Sequence, residues 1–410
     1  MPGKAVLEGV RVVEISAFVA APLAGATLAA MGAEVVRVDP IGGGADRGRW
    51  PLHRGTSLYW SGLNQGKRSV TIDTRRPEGQ RVVRSMISHA GVVLTNLPVQ
   101  PWMTYDRLLA ERRDLIMGVI TGNSDGSIAV DYTVNAAVGF PWVTGPDGWA
   151  GPVNHVLPAW DALTGYLMTA GLIAAELHRG RTGEGQLVRL SLSDVALSIA
   201  GHLGFLAEAQ LTAEPRPRQG NDLFGSFAHD FATADDRHVI VVALTPRQWA
   251  SLVEATGIGE PVARLEAQLG VDLRVEGDRY RARREICDLL APWVRARTLA
   301  QIQRRFGELN VLWAPYQSFK QLIAEDERAT TKNPLIADVD QPGIGRHLRA
   351  GLPLSFGSSP RLSPPMSPVL GSDTRDVLKS WLGLESRAAN ELAALGVIAE
   401  QDPRADVQPE

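Results

Sequence analysis

The sequence predicts an α/β protein with a largely parallel sheet followed by a smaller α/β unit, and three observations carry that prediction. Over the first 200 residues, short β-branched runs alternate with longer helical patterns, as parallel strands joined by helices require. The run Pro215-Arg216-Pro217-Arg218-Gln219-Gly220 marks a composition shift suited to a crossover between domains. A chain of 410 residues is long enough for two or three domains.

The elements follow in order. Residues 10–15 (Val-Arg-Val-Val-Glu-Ile) read as the opening strand. Residues 15–33 carry no charge and are long enough to cross a membrane. However, Pro22, Gly25, Gly32 and many alanines make the stretch only mildly apolar. A buried helix over 21–31, with Pro22 in its first turn, is the better reading. Strands at 34–38, 69–72, 92–95 and 115–120 and helices at 77–88 and 105–112 continue the alternation. A long helix over 161–178 comes next, then a turn at 180–185, a strand at 187–192 and a helix from Ser193 toward Ala213. The smaller unit has a strand at 239–242, a helix at 246–256, and arginine-bearing helices at 280–297 and 299–309. Arg279, Arg281, Arg283 and Arg284 read as a solvated helical face. A Pro/Ser-rich strap at 358–368 precedes two short helices, 373–382 and 385–395. The segments are then 1–215, 216–320 and 321–410, without internal repeats.

Composition narrows the function. Hydrophobic residues at 44% and charged residues at 21% place the chain among ordinary globular proteins, not disordered ones. A net charge of −3 argues against a nucleic-acid binder. The single Cys287 cannot form an internal disulfide or an iron–sulfur or thiolate–zinc framework. The eight histidines are scattered, so no metal is expected. The N-terminus lacks a signal-peptide core, and the protein reads as cytoplasmic with no membrane partner. There is no phosphate-loop motif and no Gly-x-Gly-x-x-Gly after the first strand. ATP-driven and hydride-transfer chemistry are therefore unsupported.

Two features point to chemistry. Arg47, Arg49, Arg54, Lys67, Arg68, Arg75 and Arg76 are opposed only by Asp73, a local net of +6 just after Gly42-Gly43-Gly44. That pattern suits a polyphosphate ligand, and equally a surface on which charge happens to cluster. Asp161 stands where a loop enters the long helix. It can be a simple helix cap, or an ionised carboxylate that attacks an acyl group. His155 reads as a loop histidine or a general base, and Trp142 and Trp160 as packing residues.

Several motifs together resemble the family III CoA-transferases, the group that includes formyl-CoA transferase, carnitine CoA-transferase and α-methylacyl-CoA racemase. They are Leu7-Glu8-Gly9-Val10-Arg11-Val12-Val13-Glu14, Met31-Gly32-Ala33-Glu34-Val35-Val36-Arg37-Val38-Asp39 and Asn64-Gln65-Gly66-Lys67-Arg68-Ser69-Val70. The run Leu177-His178-Arg179-Gly180-Arg181-Thr182-Gly183-Glu184-Gly185-Gln186 and the later Leu370-Gly371-Ser372-Asp373-Thr374 complete the set, in the right order over nearly the whole chain. Finer similarity lies in Asp39-Pro40-Ile41-Gly42-Gly43-Gly44, Val130-Asp131-Tyr132-Thr133-Val134-Asn135, the 153–161 run ending in Trp160-Asp161, and Gln341-Pro342-Gly343-Ile344-Gly345. These resemble members that move CoA within one molecule, between the C1 and C4 carboxyls of mesaconate.

The resemblance implies a discontinuous, Rossmann-like large domain, to which the C-terminal segment returns, and an interlocked homodimer. It implies Asp161 as the catalytic nucleophile and a CoA thioester as substrate, with no prosthetic group. Implied CoA contacts are Val19, Ala20, Ile72, Asp73, Thr74, Arg75, Asn96, Leu97, Pro98, Val130 and Asp131. Gly220, Asn221, Gly225 and Ser226 fall where the family has a mobile glycine loop, and are expected to form a lid. Pro40 stands where the family often has arginine. Racemases of the family carry a His-Asp pair where this chain has Val130-Asp131. Valine cannot exchange a proton, so racemisation lacks a partner. Intermolecular CoA transfer between two acids and non-catalytic CoA binding complete the alternatives.

Overall fold

A computed structural model describes residues 5–359 and 361–400. Two compact units result. One comprises the chain to Val138, Val156–Ala207 and the chain from Glu327; the other comprises Gly139–His155 and Glu208–Asp326. The sequence boundaries at 215 and 320 fall near those at 207 and 326, but nothing in the sequence marked Gly139–His155 as part of the second unit.

In the first unit, β1 (Arg11–Ile15), α1 (Ala20–Ala30) and β2 (Glu34–Asp39) are followed by the hairpin β3 (Leu52–His53) and β4 (Thr56–Ser57). Then come α2 (Leu58–Leu63), β5 (Arg68–Ile72), α3 (Pro77–Ala90), β6 (Val92–Thr95), α4 (Tyr105–Glu111), β7 (Ile116–Thr121) and α5 (Asp131–Ala137). After the one-turn α6 (Phe140–Val143) of the second unit, α7 (Ala159–Thr182), β8 (Leu187–Ser191), α8 (Leu192–His202) and α9 (Phe205–Leu211) follow. The second unit holds an antiparallel sheet of β9 (Phe227–Ala232), β10 (His238–Ala243) and β11 (Leu312–Pro315). Back in the first unit, β12 (Ile336–Gln341) and β13 (Gly345–Ala350) form a hairpin, and β14 (Ile398–Ala399) ends the described chain.

The large sheet runs β14-β5-β2-β1-β6-β7-β8. All pairings are parallel except β14, which lies antiparallel on β5 with Ile398 opposite Ile72. The β-branched runs are buried on both faces, as in a helix-covered parallel sheet: Val13, Val36, Val70 and Val93 are fully inaccessible. The final strand thus brings the end of the chain back to the first sheet. In the second unit Phe227, Val239, Leu252, Ile286 and Phe306 form a separate core.

The structure corrects several sequence readings. The long helix runs from Ala159 to Thr182, so the turn begins later, at Gly183, whose φ of 78° closes the helix. The helix predicted from Ser193 breaks at Gly204, φ 81°, and the one over 280–297 is two helices meeting at Ala282. Arg279 is not solvated. It is fully buried, and its guanidinium donates to the carbonyls of Ala243, Leu244, Leu273 and Arg274. Strands β9 and β12 escaped notice because His229, Asp230, Asp338 and Asp340 interrupt their apolar alternation.

Much of the +6 window is spent in ion pairs, one of them buried. Lys67 is buried and its Nζ donates to Glu14 Oε1, Pro22 O and Asn64 Oδ1, each at 2.8 Å. Burial, against the pull of Glu14, brings this amine down to about 8. Arg37, also fully buried, donates to both carboxylates of Asp39 and Asp46 and to Asn64. Arg68 pairs with Glu34, Asp373 and Asp376, and Arg75 and Arg76 both pair with Asp73. Replacing Lys67 by methionine removes the nearer of the two cations beside buried Glu14, leaving Arg37 at 4.0 Å. A destabilisation of about 3–5 kcal/mol is expected in urea titrations. Arg54→Ala, on the exposed hairpin turn, should stay within about 0.5 kcal/mol of wild type.

Candidate active site

The order of the large sheet reverses at β1, which has β2 on one side and β6 on the other. Open parallel sheets bind ligands outside the carboxyl ends of the strands at such a point. Here the loops after β1 and β6 are tied together, since Ala17 N–H donates to Asn96 Oδ1 at 2.9 Å and Asn96 Nδ2 donates to Ala17 O at 2.7 Å. Val19 and Ala20 begin α1, Ile72 ends β5 with Asp73 to Arg75 after it, and Asn96 to Pro98 follow β6. The expected CoA contacts therefore share one edge of the sheet. Val19, Ala20 and Ile72 are buried and offer mainly backbone, whereas Leu97, Pro98 and Arg75 are exposed. Val19 gives α1 no side-chain cap, which leaves first-turn N–H groups as donors for an anionic ligand.

Asp161 lies on α7, in the first turn. Its reading as a helix cap is corrected: the capping carboxylate is Asp131, at the start of α5. Asp131 Oδ2 accepts from Trp160 N–H at 2.8 Å and Asp161 N–H at 3.0 Å. Asp131 is buried, and its Oδ1 has no partner among the described residues. The Asp161 side chain is thereby relieved of capping, and no hydrogen bond to its carboxylate occurs among the described residues. Burial first, then the nearby charge of Asp131, raises its carboxyl to about 6, while Arg49 opposes the rise. A carboxylate more basic than usual, with no donors holding its oxygens, is a better nucleophile toward carbonyl carbon.

Packing places this carboxylate beside the loop after β1. Gly165, one turn along the same face of α7, lies so close to α1 that a Cβ there would be 2.7 Å from Ala20 O. Two residues before Ala20, Phe18 sits at φ 63° and its N–H donates to Asp46 Oδ2 at 3.1 Å. The guanidinium of Arg49 lies 5.4 Å from the centre of the Phe18 ring and 5.0 Å from that of Tyr59. Burial pushes the Tyr59 phenol up to about 12, so it stays protonated and able to donate. Arg49 entered the sequence reading only as one charge among seven, and Tyr59 not at all. No spacing or motif distinguishes them; the fold alone brings them to Asp161.

Val130 is exposed and caps α5 through its backbone, with no titratable side chain at the position where racemases have histidine. Trp160 is buried as expected, its Nε1–H donating to Asn135 Oδ1 at 3.2 Å. Trp142 differs: it is exposed, with Arg218 5.9 Å from its ring. His155 belongs to the second unit, and its Nδ1 is buried without a partner among the described residues. Gly220, Asn221, Gly225 and Ser226 also lie there. Gly220 N–H donates to Gly145 O, Asn221 Nδ2 to Asp230 Oδ1, and the buried Ser226 hydroxyl to Ala243 O. Within this segment the large side chains of Leu223 and Phe224 remain exposed.

Among the described residues no group of three His, Cys, Asp or Glu could hold a metal ion, and no helix is long and apolar enough to cross a membrane. The fold is shared with a crystal structure of a CAIB/BAIF family protein from Brucella suis. The two superpose with a TM-score of 0.76 at 22% identity, covering 92% of this chain and 99% of that one. The chain is 50% identical over 405 residues to 2-methylfumaryl-CoA isomerase of Chloroflexus aurantiacus, covering 97% of this chain and 99% of that protein. It is 28% identical over 407 residues to succinyl-CoA–D-citramalate CoA-transferase of the same organism, covering 96% and 98%. Residues 7–374 match the sequence profile of CoA-transferase family III. By that match, and by half-identity to a relative over nearly its whole length, the chain is a member of CoA-transferase family III.

Proposed function

We propose that this enzyme moves CoA between the C1 and C4 carboxyls of mesaconate, converting 2-methylfumaryl-CoA to 3-methylfumaryl-CoA with Asp161 as nucleophile. The observation that carries the reading is the Asp161 carboxylate: basic, free of donors, and seated at the switch point of the sheet. The relative that is 50% identical bears the matching name.

Asp161 Oδ attacks the C1 thioester carbonyl, the C–S bond breaks, and CoA thiolate leaves behind an aspartyl–acyl anhydride. The thiolate attacks the aspartyl carbonyl, which gives an Asp161–CoA thioester and the mesaconate dianion. The C4 carboxylate attacks that thioester, and the two steps run in reverse at C4, regenerating the Asp161 carboxylate. Each step exchanges one acyl bond for another, so no nucleotide triphosphate is consumed. The trans carboxyls of mesaconate cannot close into a cyclic anhydride, so an enzyme nucleophile is required. The Tyr59 hydroxyl and the first-turn N–H groups of α1 are the donors on hand for the developing oxyanions.

The same proposal assigns CoA to the loops bearing Val19, Ala20, Ile72, Asp73, Thr74, Arg75, Asn96, Leu97 and Pro98. It gives Gly220, Asn221, Gly225 and Ser226 the role of a lid that retains the free diacid. It includes an interlocked homodimer and a cytoplasmic location. The test is incubation with mesaconyl-CoA and excess isotopically labelled free mesaconate. Conversion to the C4 ester with little label incorporated is expected; extensive labelling would make the enzyme an intermolecular transferase.

A further inference from the structure

We infer that Arg49 is the specificity residue of this site, holding whichever substrate carboxylate is not joined to sulfur or to Asp161. The inference deepens the proposed function and rests on it. Three observations carry it.

The first is position. Gly165 brings α7 against the start of α1, which sets Asp161 beside the loop bearing Phe18, and Arg49 lies against the Phe18 and Tyr59 rings. The second is vacancy of charge. Lys67, Arg68, Arg75 and Arg76 are committed to carboxylates, and Asp46 is committed to Arg37 and to Phe18 N–H. Among the described residues no carboxylate lies within ion-pair distance of the Arg49 guanidinium, which is exposed. Aromatic contact fixes a guanidinium by its flat face and leaves the N–H groups on its edge for a planar, two-oxygen acceptor.

The third is need. Asp131 accepts from the Asp161 N–H, and burial, then the nearby charge of Asp131, raises the Asp161 carboxyl. A third carboxylate, on the substrate, enters that field only if a cation meets it. Mesaconyl-CoA always has one free carboxylate, and as the transfer proceeds the two ends exchange places. A single arginine in the neighbourhood of Asp161 can hold each end in turn. A monocarboxylic acyl-CoA has no such group to offer.

The test compares mesaconyl-CoA with tiglyl-CoA, the same acyl skeleton with the distal carboxylate replaced by methyl. Formation of the Asp161–CoA thioester is followed by rapid quenching and intact-protein mass spectrometry in wild type, Arg49→Gln and Arg49→Lys. The reactions are run at pH 8.5, because loss of the Arg49 charge also raises Asp161, and at that pH it is ionised in every variant. Arg49→Gln should slow thioester formation from mesaconyl-CoA by about 100-fold more than from tiglyl-CoA, with Arg49→Lys in between. The tiglyl-CoA reaction reports that the variants are folded and the nucleophile intact. Equal loss on both substrates, or no loss on mesaconyl-CoA, overturns the inference. Selective loss in an enzyme that makes no C4 ester would keep the carboxylate site and remove only the intramolecular reading.

Discussion

Asp161→Ala should lower turnover of mesaconyl-CoA by at least about 10⁴-fold, since a covalent route without its nucleophile retains only binding and positioning. CoA affinity should change by less than about threefold, because the CoA contacts assigned here lie on loops after β1, β5 and β6. Wild type quenched during turnover should carry a CoA adduct on the peptide containing Asp161, and the variant none. Residual turnover within about tenfold of wild type would remove Asp161 from the mechanism. In wild type the acid limb of kcat/KM should fall near pH 6, where the carboxyl takes up its proton and loses its nucleophilic lone pair. Stability runs the other way. The folded value lies above the ordinary 3.8, so the fold disfavours the ionised form. That cost is fully present above about pH 6 and is relieved as pH falls from there toward 4. Asp161→Asn should therefore melt higher than wild type by roughly 1–3 °C at pH 8 in scanning calorimetry, with the gap closing below pH 5.

The Asp131 variants should divide structure from charge. In Asp131→Asn the amide oxygen can still accept from the Trp160 and Asp161 N–H groups, so α7 keeps its cap. The negative charge is gone, and an amide N–H takes the place of the unpartnered Oδ1. Both changes favour the ionised Asp161, and the acid limb of kcat/KM should move down by about one unit or more. Turnover at pH 8 should fall severalfold, because a less basic carboxylate is a poorer nucleophile. In Asp131→Ala the two N–H groups lose their acceptor altogether. A loss of about 2–4 kcal/mol of stability and on the order of 10² in kcat is expected, measured by urea titration and steady-state kinetics. An acid limb that stays near pH 6 in Asp131→Asn would show that Asp131 does not set the basicity of the nucleophile.

Much of the first unit was legible because its strands are local signals. Residues 10–15, 34–38, 69–72 and 92–95 are β-branched runs bounded by turn or helix patterns, and each became a buried parallel strand within a residue or two. Helix α3 has Pro77 in its first turn and Gly91 at φ 75° just beyond its end, signals that stand in the sequence itself. The polar strands β9 and β12 were not legible, since alternation is lost where His, Asp and Gln interrupt it. The buried Arg279 was misread for a related reason. Arginine is read as exposed by composition, and only four backbone carbonyls converging from separate segments make its burial tolerable.

From sequence alone came the α/β class, the family resemblance and Asp161 as the residue of interest. These depend on neighbouring residues, on the order of motifs along the chain and on residue type. Tertiary structure decided the rest. Asp131 caps α7 from 30 residues away, which frees Asp161 from capping, and burial first, then the charge of Asp131, makes Asp161 basic. The basic window, which looked like a patch for phosphates, folds most of its charge into pairs with Glu14, Glu34, Asp73, Asp373 and Asp376. Arg49, near enough to lower the Asp161 carboxyl, is left without a carboxylate partner among the described residues. Burial and the distance between charges set the basicity of a carboxylate and the availability of a cation, and both are properties of the folded chain.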